Sequence, residues 1–199
     1  MEIRNKRTFD YLNQFIKEDD KILDVGCRDG ELREYLHDKK SIHYIGIDPG
    51  LDSEIEHKEK WFFNSTIEDF KTDLKFDIIV MSHVLEHTQS PYLALKKAQS
   101  FLKPSGKILM SVPNIYTFKF LQVIPFNIKG YPKGNIGHYQ EFTKMEIENL
   151  CRDLKLKIDK YQPRGFECVL IQLPWCIQKF FSCLFPWMST ELNFILKNK

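Results

Sequence analysis

The chain has 199 residues, 43% of them hydrophobic and 28% charged, proportions that fit one folded domain over 1–199 and exclude a disordered or fibrous chain. A net charge of +2, with basic and acidic residues interspersed, leaves no footprint for a nucleic-acid backbone, so nucleic acid is not expected as a partner. Five cysteines, an odd number without the spacing of a zinc site or a disulfide framework, read as reduced thiols of a cytoplasmic protein.

The charged start, Met1 to Arg7, leads into a polar helical pattern and does not read as an export signal. Short β-rich runs at Lys21–Val25, Tyr44–Asp48, Trp61–Asn64, Phe76–Ser82 and Lys107–Val112 then alternate with helical patterns at Glu31–His37 and Pro91–Leu102. That rhythm predicts βαβ units and a parallel sheet, because parallel neighbours need a crossover. Ser90 precedes Pro91 as an N-cap, and Pro104-Ser105-Gly106 breaks the helix before the next strand. From 114 to 139, prolines and glycines among aromatics have the composition of a lid-like insertion. Thr143 caps a helix predicted over Lys144–Asp153, with Glu146 completing a capping box. Leu156–Tyr161 and Glu167–Leu173, joined through Pro163-Arg164-Gly165, read as final strands antiparallel to each other. The apolar tail, 175–199, sets Ile177, Phe180, Phe181, Leu184 and Met188 at helical spacing near Trp175 and Trp187. Such a stripe suits core packing or a homodimer contact; the sharper reading is an amphipathic segment on a membrane or a lipid-linked acceptor.

The run Ile22-Leu23-Asp24-Val25-Gly26-Cys27-Arg28-Asp29-Gly30-Glu31 is a strand entering a glycine-bearing turn and then a helix. Glycines let a ligand approach the backbone, and the helix start offers unpaired N–H groups. A dinucleotide fingerprint beginning at Gly26 needs glycine at 28 and 31, where Arg28 and Glu31 stand, which disfavours a nicotinamide oxidoreductase. A phosphate loop would need Gly-Lys-Ser/Thr, which is also missing. Asp48 closes the next strand about 20 residues after the first glycine, where a carboxylate grips a ribose diol. A ribose clamp without a pyrophosphate loop points to a nucleoside free of phosphate.

These residues resemble motif I of the class I S-adenosylmethionine-dependent methyltransferases. Phe76-Asp77-Ile78-Ile79-Val80-Met81-Ser82-His83-Val84-Leu85-Glu86-His87 is similar to that family's fourth-strand motif, and Leu102-Lys103-Pro104-Ser105-Gly106 through Pro113-Asn114 to its approach to the fifth strand. The resemblance implies a Rossmann-like α/β fold, with a mostly parallel seven-stranded sheet and helices on both faces, and S-adenosyl-L-methionine as cofactor. It implies Asp24, Gly26, Cys27 and Gly30 around the methionine part and Asp48 on the ribose. Ile67 and Glu68 would border the adenine, and Ser82 and His83 would face the ligand. Arg28 replaces the family's middle glycine, and Ser105 the glycine after Pro104.

Methyl transfer needs an aligned acceptor and excluded water, and an oxygen acceptor must also lose a proton to a base. His87, after the fourth strand, is the first candidate base and His138 the second; the alternatives are a loop cap for Glu86-His87 and a turn histidine for His138. His83, Glu86 and His87 share one turn, and the segment also resembles ubiquinone-pathway O-methyltransferases, but His83 stands where those have an acid and no metal is assigned. The expectation is a methyltransferase acting on a small-molecule, sugar- or lipid-linked acceptor, most simply at oxygen. The competing reading is a non-catalytic binding or scaffold protein that retains the fold.

Overall fold

A computed structural model of the chain describes residues 3–37, 39–50, 60–115, 139–165, 177, 180, 183–185 and 189–199, with 3–7 described by backbone alone. In chain order it contains α1 (Ile3–Asn13), β1 (Lys21–Val25), α2 (Glu31–His37), β2 (His43–Ile47), β3 (Phe62–Phe63) and β4 (Phe76–Ser82). A 3-10 turn (Leu85–His87) follows, then α3 (Pro91–Phe101), β5 (Leu102–Pro113), α4 (Lys144–Asp153), β6 (Leu156–Arg164) and β7 (Glu191–Asn198). The seven strands form one sheet in the order β3-β2-β1-β4-β5-β7-β6. The described residues divide into two compact units, one drawn from 1–82, 92–109 and 198, the other from 83–91, 110–197 and 199.

In the first unit β1 is central and pairs in parallel with both β2 and β4. Ile22, Leu23, Asp24 and Val25 are all buried in sequence, the mark of a strand covered on both faces. Parallel pairing forces the chain to leave and return, and α2 supplies the crossover from β1 to β2. Asp24 lies opposite Gly46 and Val25 opposite Ile47, so β1 and β2 end together and both following turns emerge at the carboxyl ends of the strands. This register positions the first candidate site.

In the second unit the capping box appears as the sequence predicts. The Thr143 hydroxyl accepts the Glu146 amide, and the Glu146 carboxylate accepts the Thr143 amide at 2.7 Å. Ile147 and Cys151, one turn apart, are the helix's buried residues. β6 and β7 run antiparallel: the Thr190 amide meets Gly165 O while Lys197 reaches Asp159 at 2.8 Å. Leu192 through Leu196 are all buried, and β7 lies between β5 and β6.

β7 is a strand that the sequence reading did not expect. It lies beyond the residues read as a helical stripe, and the unbroken burial of Leu192 to Leu196 hides the alternation that marks a half-exposed strand. The expected strand Glu167–Leu173 and most of the insertion lie outside the described residues. β5 starts at Leu102, so Pro104-Ser105-Gly106 belongs to the strand and not to a turn; a Cβ on Gly106 would lie 2.8 Å from Phe76 O. β6 continues through Pro163 to Arg164, beyond the expected end at Tyr161.

Candidate active site

The glycine turn is built on left-handed backbone: Gly26, Arg28 and Gly30 have φ of 73°, 48° and 85°. The Gly26 and Cys27 amides both donate to Ile47 O, at 2.8 and 3.2 Å, which pins the turn to the end of β2. Beneath it stands Trp61. A Cβ on Gly30 would fall 2.6 Å from the Trp61 ring, and one on Gly46 2.6 Å from Cys27 Sγ, so both positions admit only glycine at this spacing. Arg33 lies 4.9 Å over the Trp61 ring and Tyr44 packs edge-on against it.

Asp48 faces the turn. Its Oδ2 accepts the Arg28 amide at 3.0 Å and its Oδ1 the Gly50 amide at 2.8 Å. The Arg28 side chain is exposed, so the replacement of glycine puts strain in the backbone, of about 1 kcal/mol for a non-glycine residue in this region, while its amide orients Asp48. Asp24 is buried beside them, its Oδ2 accepting the Tyr44 hydroxyl at 2.5 Å. Burial, with the nearby Asp48 charge, pushes the Asp24 carboxyl up to about 7 against the opposing pull of the Tyr44 hydrogen bond. Burial and the same carboxylates drive the Cys27 thiol far above its ordinary range, so Cys27 is a packed thiol and not a nucleophile. Two carboxylates, Asp24 and Asp48, and the backbone of the turn therefore set the chemistry of the site. It fits a cationic nucleoside carrying a ribose diol.

Of the remaining expected cofactor residues, Ile67 is buried at 2% exposure and Glu68 is exposed. Both lie in a turn that the Thr66 hydroxyl closes by accepting the Asp69 amide. Ser82 ends β4, and the next residue, His83, belongs to a second cluster.

In that cluster His83 has a φ of 55° and its amide donates to Ser111 O. Its Nε2 lies 3.0 Å from Glu191 Oε1 and its Nδ1 3.3 Å from Glu86 Oε1. Burial works against charge on the ring, but the two carboxylates outweigh it and raise His83 to about 9. Glu86 is fully buried, and neither of its oxygens has an aligned hydrogen-bond donor among the described residues. Its carbonyl accepts the Tyr139 amide at 2.9 Å, and the Ile115 amide donates to Phe142 O, so both ends of the expected insertion are tied down. His87 ends the 3-10 turn with its side chain exposed; His138 lies outside the described residues. No group of three or more His, Cys, Asp and Glu among the described residues is arranged to hold a metal.

A family model described as a methyltransferase domain matches residues 2–161. The chain belongs to the S-adenosylmethionine-dependent methyltransferases. The methyltransferase is 30% identical over 165 residues to the ubiquinone biosynthesis O-methyltransferase of Actinobacillus pleuropneumoniae serotype 7, covering 74% of this chain and 70% of that one. It is 30% identical over 141 residues to the protein of the same name in Glaesserella parasuis, covering 62% and 59%. Among solved structures it is similar to a SAM-dependent methyltransferase from Archaeoglobus fulgidus, with a TM-score of 0.71 at 19% identity over 98% of this chain and 93% of that one. It is also similar to the Burkholderia thailandensis 1,6-didemethyltoxoflavin-N1-methyltransferase with bound S-adenosylhomocysteine, with a TM-score of 0.65 at 15% identity over 100% and 80%. At these identities the structural likeness establishes the shared fold.

Sequence reasoning missed Tyr44, Trp61 and Glu191. Tyr44 and Trp61 read there only as strand residues, since their roles depend on the register of β1 with β2 and on the packing below the turn. Glu191 opens a strand that was not among those expected from the sequence.

Proposed function

We propose that this methyltransferase moves a methyl group from S-adenosylmethionine to an oxygen of a small-molecule acceptor, either a sugar or a quinone-like or lipid-linked hydroxyl. The observation that carries the cofactor assignment is the Asp48 carboxylate held against the glycine turn by the Arg28 and Gly50 amides. Each oxygen accepts one backbone N–H and retains capacity for a ribose hydroxyl. Asp24 supplies a buried negative charge for the ammonium of the methionine part. The names of the curated relatives support oxygen as the acceptor atom.

When bound, S-adenosylmethionine supplies a methyl group already activated on a sulfonium. The chain's own tasks are then to orient the acceptor, exclude water and take up its proton, the last worth on the order of 10²–10⁴-fold. His87, exposed at the end of its turn, and His138 are the proposed proton acceptors. His83 is not, because both its ring nitrogens face carboxylates. No described helix is long and apolar enough to cross a membrane; the exposed Ile177, Phe180, Leu184 and Phe185 support peripheral contact with a lipid-linked acceptor.

Titration calorimetry near pH 8 tests the cofactor assignment. S-adenosylmethionine is expected to bind, Asp48→Ala to weaken binding by about tenfold or more, and NAD(H) to give no heat. The scaffold reading drew its support from Arg28, whose side chain is exposed; wild-type protein silent toward S-adenosylmethionine would favour that reading.

A further inference from the structure

Strand register brings Tyr44 and Asp24 together. Asp24 is opposite Gly46, and Tyr44, two residues before Gly46, points to the same face of the sheet. Its hydroxyl is the hydrogen-bond donor to Asp24 Oδ2 among the described residues, at 2.5 Å. The tyrosine ring is 8% exposed and held by the edge of Trp61, with ring centres 5.5 Å apart. Trp61 in turn fills the space left by the hydrogens of Gly30 and Gly46. The phenol is thus fixed by packing, and it fixes one oxygen of a carboxylate that is only 5% exposed.

A buried carboxylate with one neutral donor is under-compensated, and it favours either a proton or an incoming cation. The charged and titratable groups around the pair are Asp48 beyond β2, Cys27 and Asp29 in the turn, and Arg33 on α2. Burial first, and then the Asp48 charge, oppose ionisation of Asp24, whereas the Tyr44 hydroxyl favours it.

We propose that Tyr44 is a positioning residue of the cofactor site, acting through Asp24: it holds the carboxylate ionised and oriented for the cofactor's ammonium, and so sets the pH above which the cofactor binds tightly. The inference rests on the assignment of S-adenosylmethionine to this site. The proton on Asp24 and the cofactor's ammonium compete for one carboxylate. Below the midpoint, binding releases that proton and affinity falls by up to about tenfold per pH unit; above it, affinity is level. Loss of the phenol removes the group that favours the charged form and moves the midpoint upward.

The test is the pH dependence of S-adenosylmethionine affinity, measured by calorimetry from about pH 5.5 to about pH 8.5 in wild type, Tyr44→Phe and Asp24→Asn, beside a carboxyl-carbon NMR titration of Asp24 in ligand-free wild type and Tyr44→Phe. Asp24→Asn reports the ligand's own titration, against which the others are referenced. Wild-type affinity is expected to rise toward neutrality and level off. Tyr44→Phe is expected to follow a curve displaced upward by about one pH unit, with an affinity loss near tenfold at pH 6.5 that largely recovers by pH 8.5. The NMR midpoint should move with it. A loss in Tyr44→Phe that is the same at every pH, or an unmoved Asp24 midpoint, overturns the inference while leaving the cofactor assignment intact. Wild type that binds no cofactor at any pH sinks the assignment and this inference with it.

Discussion

His83 holds a proton between two carboxylates, and the consequence for stability has a definite sign. The folded state raises the imidazole from 6.5 to about 9. The contribution is therefore complete below about pH 6.5, where the unfolded chain is also protonated, and is lost as pH rises through about 9. Neutral imidazole has a single N–H, so deprotonation takes the positive charge from both Glu86 and Glu191 and leaves one of them facing a bare ring nitrogen. Glu191→Gln is expected to destabilise the protein by on the order of 1 kcal/mol at about pH 6, a figure discounted for the partly exposed ring, and by much less at about pH 9.5. Denaturant midpoints at the two pH values check this, and a deficit that does not shrink with pH contradicts it. The place of Asp48 beside the glycine turn was legible in sequence because a carboxylate at a strand end, a fixed distance after such a turn, is a one-dimensional signal. Tyr44 and Glu191 could not. Their partners, Asp24 and His83, lie 20 and 108 residues away in the chain, and only strand register joins them.

Elements differ in legibility for a related reason. β1 and α4 match their expected limits because their signals are local: an apolar run entering a glycine turn, and a threonine three residues before a glutamate. β7 has no comparable local signal. Its five consecutive buried residues, Leu192 to Leu196, follow an aromatic tail and show neither the alternation of a half-exposed strand nor a turn signal. The interior place of β7 gives it energetic weight that its terminal position in the sequence conceals. Burying Leu192, Phe194, Ile195 and Leu196 at about 1.5–3 kcal/mol each amounts to about 6–12 kcal/mol, comparable with the whole stability of an ordinary domain. Removal of residues 189–199 is therefore expected to abolish cooperative unfolding. Phe194→Ala, which leaves the backbone ladder in place, should cost about 3–5 kcal/mol. Circular dichroism with thermal melts separates the two outcomes, and a truncated chain that still melts cooperatively would contradict the interior role of β7.

At the scale of the whole molecule, net charge and surface apolarity favour one kind of membrane contact over another. A charge of only +2 with interspersed signs gives anionic lipid little to hold, since attraction near a membrane scales at about 1 kcal/mol per basic residue close to the surface. The exposed Phe180 and Leu184, at 61% and 56%, provide apolar area instead, and transfer of such side chains from water is not weakened by salt as charge attraction is. If the acceptor is lipid-linked, the protein should sediment with neutral vesicles about as well as with anionic ones, and added salt should not release it. Truncation of the tail cannot serve as the control, because it also removes β7. Ile177→Ser combined with Leu184→Ser can: these side chains are exposed, so the unfolding free energy should stay within about 0.5 kcal/mol of wild type while vesicle binding falls several-fold. Wild-type protein that stays in the supernatant with either vesicle refutes the contact. If the same double substitution instead converts a dimer to a monomer in size-exclusion chromatography, the apolar residues serve a second copy of the chain.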